Sequence, residues 1–156
     1  MISWPEKYAP ERAHVHVKNE LEMDATPEAV WAWLVRAKLW PTWYANSEKV
    51  EVEGGGPDLG PGVSFRWKTF GVSLHSRVEE FVPQERMAWS ARGMGIDAYH
   101  AWLIVPTPAG CHVTTEETQL GLLPRLNKAV RPNDMSRKHQ DWLEGLLTKA
   151  KTGLPT

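Results

Sequence analysis

The 156-residue sequence has a single cysteine, Cys111, and no long hydrophobic run. One cysteine cannot form a disulfide within the chain, and no segment approaches the roughly 18 to 20 consecutive apolar residues that a membrane-spanning helix needs. Residues 1–5 also lack the basic start and the apolar core of a secretion signal. These absences predict a cytoplasmic protein with no membrane span.

The sequence has no excess of charge of either sign. Its 18 lysine and arginine residues nearly balance 19 aspartate and glutamate residues, which gives a formal net charge of -1. Such a chain has no long-range field that would attract nucleic acid or anionic lipid, so nucleic acid is not an expected partner. The glycine-rich stretch 54–62 lacks the Lys-Ser/Thr ending of a phosphate loop, and we interpret it as a hairpin loop at a pocket rim. No cofactor is predicted.

Tryptophan, by contrast, is abundant, with nine residues. An indole ring offers a large apolar surface and one N–H group that needs a partner when it is buried. Nine such rings suit the wall of an apolar cavity with isolated polar points, and they also suit an aromatic core. Trp40, Trp43 and Tyr44 could instead form an exposed patch for a partner protein.

The first part of the chain predicts a strand followed by two short helices. Polar and apolar residues alternate over 14–23, as in a strand with one buried face. Thr26 and Pro27 then mark a helix start, because threonine caps a first turn and proline is tolerated within it. A second short helix is expected over 39–44, with a break near Pro41.

Short alternating segments separated by glycine and proline turns follow, which is typical of an antiparallel sheet. The expected strands cover 48–53, 63–69, 72–81, 86–92, 96–105 and 112–120. Leu122, Leu123 and Leu126 then indicate a short helix or a lid. Beyond Pro132, apolar residues recur every three or four positions over 135–150, which predicts a long amphipathic helix.

A set of short segments carries a resemblance to a known superfamily. The segments are ATPEAVW at 25–31, WPTW at 40–43, GVSFRW at 62–67, VEEFVP at 78–83 and MAW at 87–89, with further matches at 100–102 and 110–115. In this order they resemble the START-related SRPBCC superfamily, and in particular its polyketide cyclase/dehydrase-like branch. The similarity covers nearly the whole chain, and its motifs are those of a fold.

The resemblance implies an α+β helix-grip fold, in which a curved antiparallel sheet of about six to seven strands wraps around a long C-terminal helix. It implies one domain over 1–156, with two short helices after the first strand. Strand side chains alone do not fill a strongly curved sheet, so the helix either seals it or leaves a cavity. The chemistry stays open, because this superfamily includes lipid carriers, hormone binders, cyclases and co-chaperone-like proteins.

Alternation along the strands indicates which side chains face the last helix, although one bulge would reverse an assignment. This inward set is apolar except for a few residues such as His100 and Glu117. With the stripe of the last helix, it gives the predicted ligand-binding residues: Phe65, Trp67, Leu74, Ser76, Val78, Met87, Trp89, His100, Trp102, Thr115, Glu117, Met135, His139 and Trp142.

His100 and Glu117 form the candidate catalytic pair. On adjacent strands, the carboxylate would orient the imidazole and raise its basicity, so that it could move a proton near neutral pH. A cyclisation or dehydration needs such a base beside an enolisable carbonyl. The alternative is a hydrogen-bonded histidine that reads the polar end of a ligand. His139, on the apolar stripe of the last helix, either faces the ligand or is a core or boundary histidine with satisfied hydrogen bonds.

The remaining histidines and the cysteine give weaker candidates. His14 and His16 share a strand face, but no third ligand lies nearby in sequence, so no metal site is predicted. Cys111 and His112 are strand neighbours, whose side chains point to opposite faces, which is poor geometry for a catalytic pair.

Three functions follow, in order of preference. The first is binding of a small hydrophobic molecule, lipid-, polyketide- or aromatic-like, between the sheet and the last helix. The second is a polyketide cyclase or dehydratase that uses His100 with Glu117, so enzymatic activity stays open. The third is a co-chaperone-like module that binds a protein through its outer surface. The ligand's identity and the formation of a homodimer stay open as well.

Overall fold

The computed structural model describes residues 1–156, and its central element is one seven-stranded antiparallel sheet. The strands are β1 Val15–Met23, β2 Ser47–Val52, β3 Ser64–Thr69, β4 Val72–Val82, β5 Arg86–Gly93, β6 Ile96–Thr107 and β7 Gly110–Leu120. Their order across the sheet is β1-β7-β6-β5-β4-β3-β2. The predicted α+β fold, with an antiparallel sheet and a C-terminal helix, is confirmed.

The α-helices are α1 Pro27–Val35, α2 Leu122–Val130 and α3 Asp134–Ala150, and short 3-10 helices lie at Glu6–Tyr8, Pro10–Arg12, Ala37–Thr42 and Glu53–Gly55. Thr26 caps α1, because its Oγ1 accepts a hydrogen bond from the Ala29 amide at 3.2 Å. The expected break near Pro41 falls earlier, at Arg36, whose ψ of 62° ends the helix. None of the helices has both the length and the apolar character needed to cross a membrane.

The two halves of α3 have different surroundings on the concave face of the sheet. Its C-terminal half is buried in the main core, where Leu143, Leu146 and Ala150 pack with the residues of α1. Its N-terminal half, which includes Met135 and His139, borders a cavity. The grip is therefore solid at one end and hollow at the other.

The tryptophans that were predicted as an alternative surface patch lie in this solid end. Trp40 is fully buried, and its Nε1 donates a hydrogen bond to the Leu34 carbonyl oxygen at 2.9 Å. Tyr44 stacks on Trp142, with ring centroids 4.5 Å apart. The surface-patch interpretation is therefore wrong, because these rings fill the end of the grip that α1 closes.

The glycine-rich loop 54–62 joins the paired strands β2 and β3, as predicted for a hairpin loop, but it lies near α1, so its predicted place at the pocket rim is wrong. Leu59 is buried in the main core, and its amide donates a hydrogen bond to the Val35 carbonyl oxygen at 2.8 Å. This anchor holds the loop against the end of α1. The turn at Phe70 and Gly71, between β3 and β4, borders the cavity instead.

The outer face of the sheet carries a second, smaller core, which the sequence analysis did not predict. Tyr8 stacks on Tyr99 with ring centroids 5.3 Å apart, and its hydroxyl donates a hydrogen bond to Asp97 Oδ1 at 2.6 Å. Ala88 and Ala101 are buried with these two rings. The chain that precedes β1 thus covers part of the convex surface.

Candidate functional site

A cavity of about 720 Å³ lies between the sheet and the N-terminal half of α3. This volume is within the range of pockets that enclose small molecules. The predicted ligand-binding residues that border it are Trp67, Leu74, Trp89, His100, Glu117, Met135, His139 and Trp142. Strands and helix together therefore bring one aromatic and one polar set of side chains to the same space.

The other predicted residues point inward but lie outside the cavity wall. They are Phe65, Ser76, Val78, Met87, Trp102 and Thr115, all of which are buried. Trp40 explains part of this difference, because it fills the concave side next to Phe65, with ring centroids 5.9 Å apart. Strand alternation assigns a side chain to a face, but it does not give its position along the groove.

Sequence reasoning missed most of the cavity entrance. Residues of α2, among them Leu126, Lys128 and Val130, border the opening. Leu126 was considered as part of a lid, but no periodic signal connected that helix with the opening. Ala98 and Gln119 also line the cavity, and strand alternation predicts this, since they share the inward parity of His100 and Glu117.

The polar end of the cavity is a triad of His100, Glu117 and His139. Glu117 Oε2 lies 3.3 Å from His100 Nδ1 and 3.0 Å from His139 Nε2. His100 on β6 and Glu117 on β7 are directly paired in the sheet, and His139 approaches from α3. Three elements thus fix the arrangement.

Two neighbouring side chains hold the outer atoms of this triad. His100 Nε2 lies 2.6 Å from Thr115 Oγ1, and Gln119 Nε2 donates a hydrogen bond to Glu117 Oε1 at 2.6 Å. The threonine hydroxyl either donates or accepts, so it is compatible with both tautomers of His100. The predicted site residue Thr115 therefore contacts His100 from behind the cavity wall.

Burial dominates the electrostatics of His100. Because the imidazole is removed from water, its pKa falls to about 3, and the attraction of Glu117 only partly offsets this effect. Burial alone would raise the pKa of Glu117, but the hydrogen bond from His139 and the nearby imidazoles hold it at about 2. The expected gain in the basicity of His100 is therefore absent: at neutral pH the imidazole is uncharged beside a carboxylate.

The triad also has the composition of a metal-binding set. One atom from each of its three residues lies within 4.8 Å of the others. However, both imidazoles lie within 3.3 Å of the same carboxylate oxygen, so polar contacts among the three side chains are sufficient for the geometry without an ion. His14 and His16 contact separate partners, the Gly121 carbonyl and Glu116. The absence of a metal site stays a prediction.

Several buried polar atoms around the triad have no hydrogen-bond partner. They include the indole Nε1 atoms of Trp102 and Trp142 and His139 Nδ1. Buried polar groups are nearly always paired in folded proteins, and leaving one unpaired costs about 1–3 kcal/mol. Trp142 and His139 border the cavity, so a molecule inside it is well placed to supply the missing partners.

Charge changes sign between the inner end and the entrance. The carboxylate of Glu117 is the buried charge at the inner end, whereas Lys128, Arg131 and Lys138 border the opening. Asp134 is the acidic residue at the same opening. The cavity lining is therefore acidic at the triad and mostly basic at the opening.

The comparisons with known proteins agree with this geometry. A family model described as polyketide cyclase / dehydrase and lipid transport matches residues 14–151. A hypothetical protein from Helicobacter pylori has 28% sequence identity and a TM-score of 0.89, with 96% of each chain covered. None of the curated proteins matches the sequence.

Two more distant solved structures share the fold. The Zhui aromatase/cyclase from Streptomyces sp. R1128 has 16% identity and a TM-score of 0.73, over 90% of this chain and 99% of that one. A truncated norcoclaurine synthase from Thalictrum flavum has 17% identity and a TM-score of 0.65, over 85% and 91% of the two chains. At these identities the likeness extends to the helix-grip architecture alone.

Proposed function

Because this chain belongs to the polyketide cyclase / dehydrase and lipid transport family, we propose that it binds one small, largely apolar molecule between the sheet and α3. The observation that carries the proposal is the cavity of about 720 Å³ bordered by Trp67, Trp89 and Trp142. Indole faces provide apolar contact area with little loss of side-chain freedom. A ligand would bury these faces and pair the free polar atoms of His139 and Trp142.

The charge distribution indicates how such a ligand is oriented. A carboxylate repels an anion, so the inner end favours a hydroxyl or another hydrogen-bond donor that reaches Glu117. The cations at the entrance tolerate a negative group there. The preferred ligand is therefore apolar along its length, with a donor at its inner end and any anionic group outward.

This proposal predicts one binding site for a neutral aromatic probe such as N-phenyl-1-naphthylamine. Ala98 is buried on β6 and borders the cavity, so Ala98→Phe places a ring in the ligand's space. We expect the variant to weaken probe affinity at least about tenfold, since its ring and the probe cannot share the space. Probe fluorescence during titration measures the affinity.

The matched control is Ala45→Phe, which adds the same ring at an exposed position outside the cavity. It should bind the probe like the unmodified protein. Equal binding by all three proteins, or no saturable binding by the unmodified protein, would contradict the proposal. Circular dichroism of each variant establishes that a lost signal is not lost folding.

A second candidate function is cyclisation or dehydration of a polyketide-like substrate by His100 and Glu117. The contact between His139 Nε2 and Glu117 Oε2 favours it, because it places proton-carrying groups at the end of a substrate-sized cavity. The low pKa of His100 speaks against this residue as the base at neutral pH. If a linear poly-β-ketone is converted, Glu117→Gln should abolish turnover while the neutral probe still binds.

The cellular setting belongs to the same proposal. We expect a cytoplasmic protein that does not act on nucleic acid, in keeping with a formal net charge of -1 and a buried, unpaired Cys111. The co-chaperone-like alternative has lost its main support, because Trp40 is fully buried.

A further inference from the structure

We infer that the cavity entrance docks on an anionic lipid surface through an exposed apolar patch on and beside α2. The entrance patch consists of Met94, Leu122, Leu126 and Val130. This inference goes beyond ligand binding, because it names the surface from which an apolar ligand enters the protein.

The patch concentrates apolar side chains that most of the molecule buries. Met94 is 75% exposed, Leu122 70%, Leu126 54% and Val130 77%. Four of the seven large hydrophobic side chains that are exposed in the whole chain thus belong to the patch. Single exposed apolar residues are ordinary, whereas a contiguous group marks an interaction surface.

The residues are arranged as one surface. Leu122, Leu126 and Val130 are four positions apart, so they form one stripe along α2. Pro124, the buried residue of this helix, lies about 200° around the helix axis from Leu126, so the stripe does not face the body of the protein. The turn that carries Met94 contacts the start of α2, because a Cβ added at Gly121 would lie 2.2 Å from the Gly95 carbonyl oxygen.

The charge around the entrance patch favours docking on an anionic lipid surface. The segment 121–138 contains five lysine and arginine residues and one acid, Asp134, although the whole chain has a net charge of -1. Arg137 pairs with that acid at 3.1 Å. An apolar helix stripe with neighbouring cations is the pattern of helices that lie in the interface of anionic membranes.

The entrance patch lies beside the cavity opening, so docking would affect how a ligand enters. Leu126 and Val130 border the cavity, as do the cations Lys128 and Arg131. Docking would place the cavity opening against the bilayer, so that an apolar molecule passes between membrane and protein without crossing water. A helix of nine residues buries little area, which suits reversible attachment.

Vesicle co-sedimentation tests the inference with the intact chain and no added ligand. Vesicles of phosphatidylcholine alone are compared with vesicles in which part of the lipid is phosphatidylglycerol. We expect binding to the anionic vesicles, weakened by added salt because exposed charges are screened. The double variants Leu126→Asp/Val130→Asp and Lys128→Glu/Arg131→Glu should each reduce this binding at least about tenfold.

The control variant is Leu154→Asp, because Leu154 is 56% exposed but lies beyond the C-terminal end of α3, away from the entrance. It should bind like the unmodified protein. The inference is overturned if the unmodified protein does not bind anionic vesicles, or if Leu126→Asp/Val130→Asp binds them equally well. Probe titration without vesicles reports on the proposed cavity independently, so either idea can fail alone.

Discussion

At the scale of single residues, His100 shows that burial affects the pKa of a side chain as strongly as its charged neighbours do. Its face of the sheet and its pairing with Glu117 agree with the sequence pattern. The pattern could not reveal that the imidazole is completely buried, which lowers its pKa to about 3. The spacing of residues in a strand predicts which side chains are neighbours. The burial of His100 depends instead on how α3 and the tryptophans pack around it.

His100 should make the protein lose stability in mild acid. Its pKa is about 3 in the folded protein against an ordinary value of 6.5, so below that value the unfolded chain binds one proton more. As the pH falls from about 6.5 to about 4.5, this histidine should lower the unfolding free energy by on the order of 1 kcal/mol per pH unit. Urea unfolding across this range should therefore show a flatter profile for His100→Gln than for the unmodified protein.

His112 provides the matched control, because its pKa is shifted in the opposite direction. The hydrogen bond to Glu22 on the sheet surface raises the pKa of His112, which adds stability that is lost as the pH rises. Replacing it with glutamine should therefore have a small effect of the opposite sign. A wild-type profile identical to that of His100→Gln would show that His100 is not the buried neutral group described above.

At the scale of elements, the sequence was sufficient for nearly all strands and helices but not for their contacts. Alternation and helical spacing depend on local geometry, which is why β1 and α3 lie within one residue of their predicted bounds. Which residues line the cavity depends on where Trp40 and α2 lie, and these are long-range contacts without a local period. The candidate site was therefore predicted by face, and its entrance was not predicted at all.

The start of α2 provides a test of how the entrance is positioned. Gly121 has φ of +118°, which side-chain-bearing residues rarely adopt, and its Cα approaches the Gly95 carbonyl closely. We expect Gly121→Ala to displace α2 and to cost about 1–3 kcal/mol of stability. Limited proteolysis within Leu122–Val130 should accelerate.

Gly56→Ala is the appropriate comparison for this change. Gly56 has φ of -70° and no atom within 4 Å of an added Cβ, so the methyl group meets no obstacle there. The proteolysis pattern of the Gly56→Ala variant should match that of the unmodified protein. Equal sensitivity of both variants would mean that α2 is not held by its contact with the β5–β6 turn.

At the scale of the whole molecule, one sheet separates two cores. Tyr99 and His100 are adjacent on β6, yet Tyr99 lies in the outer core and His100 at the cavity. The outer core adds stability without shaping the binding space. We therefore expect mutations to affect stability and the proposed ligand binding separately.

Tyr8→Ala tests this separation. The change removes the stacking on Tyr99 and the hydrogen bond to Asp97, so we expect a loss of about 3–5 kcal/mol in unfolding free energy. Affinity for N-phenyl-1-naphthylamine should stay within about twofold, because no residue before Val15 borders the cavity. A parallel loss of probe affinity would show that the two faces are coupled.

The hollow end of the grip has a thermodynamic consequence. An open cavity of about 720 Å³ forgoes part of the dispersion energy that packed side chains of the same volume would supply. The proposed ligand, if it binds only the folded chain, would restore part of this energy, so that the melting temperature would rise with ligand concentration through mass action. If the proposed ligand binds there, cavity occupancy becomes a component of the protein's stability, and the unliganded protein would be the form more readily unfolded and degraded.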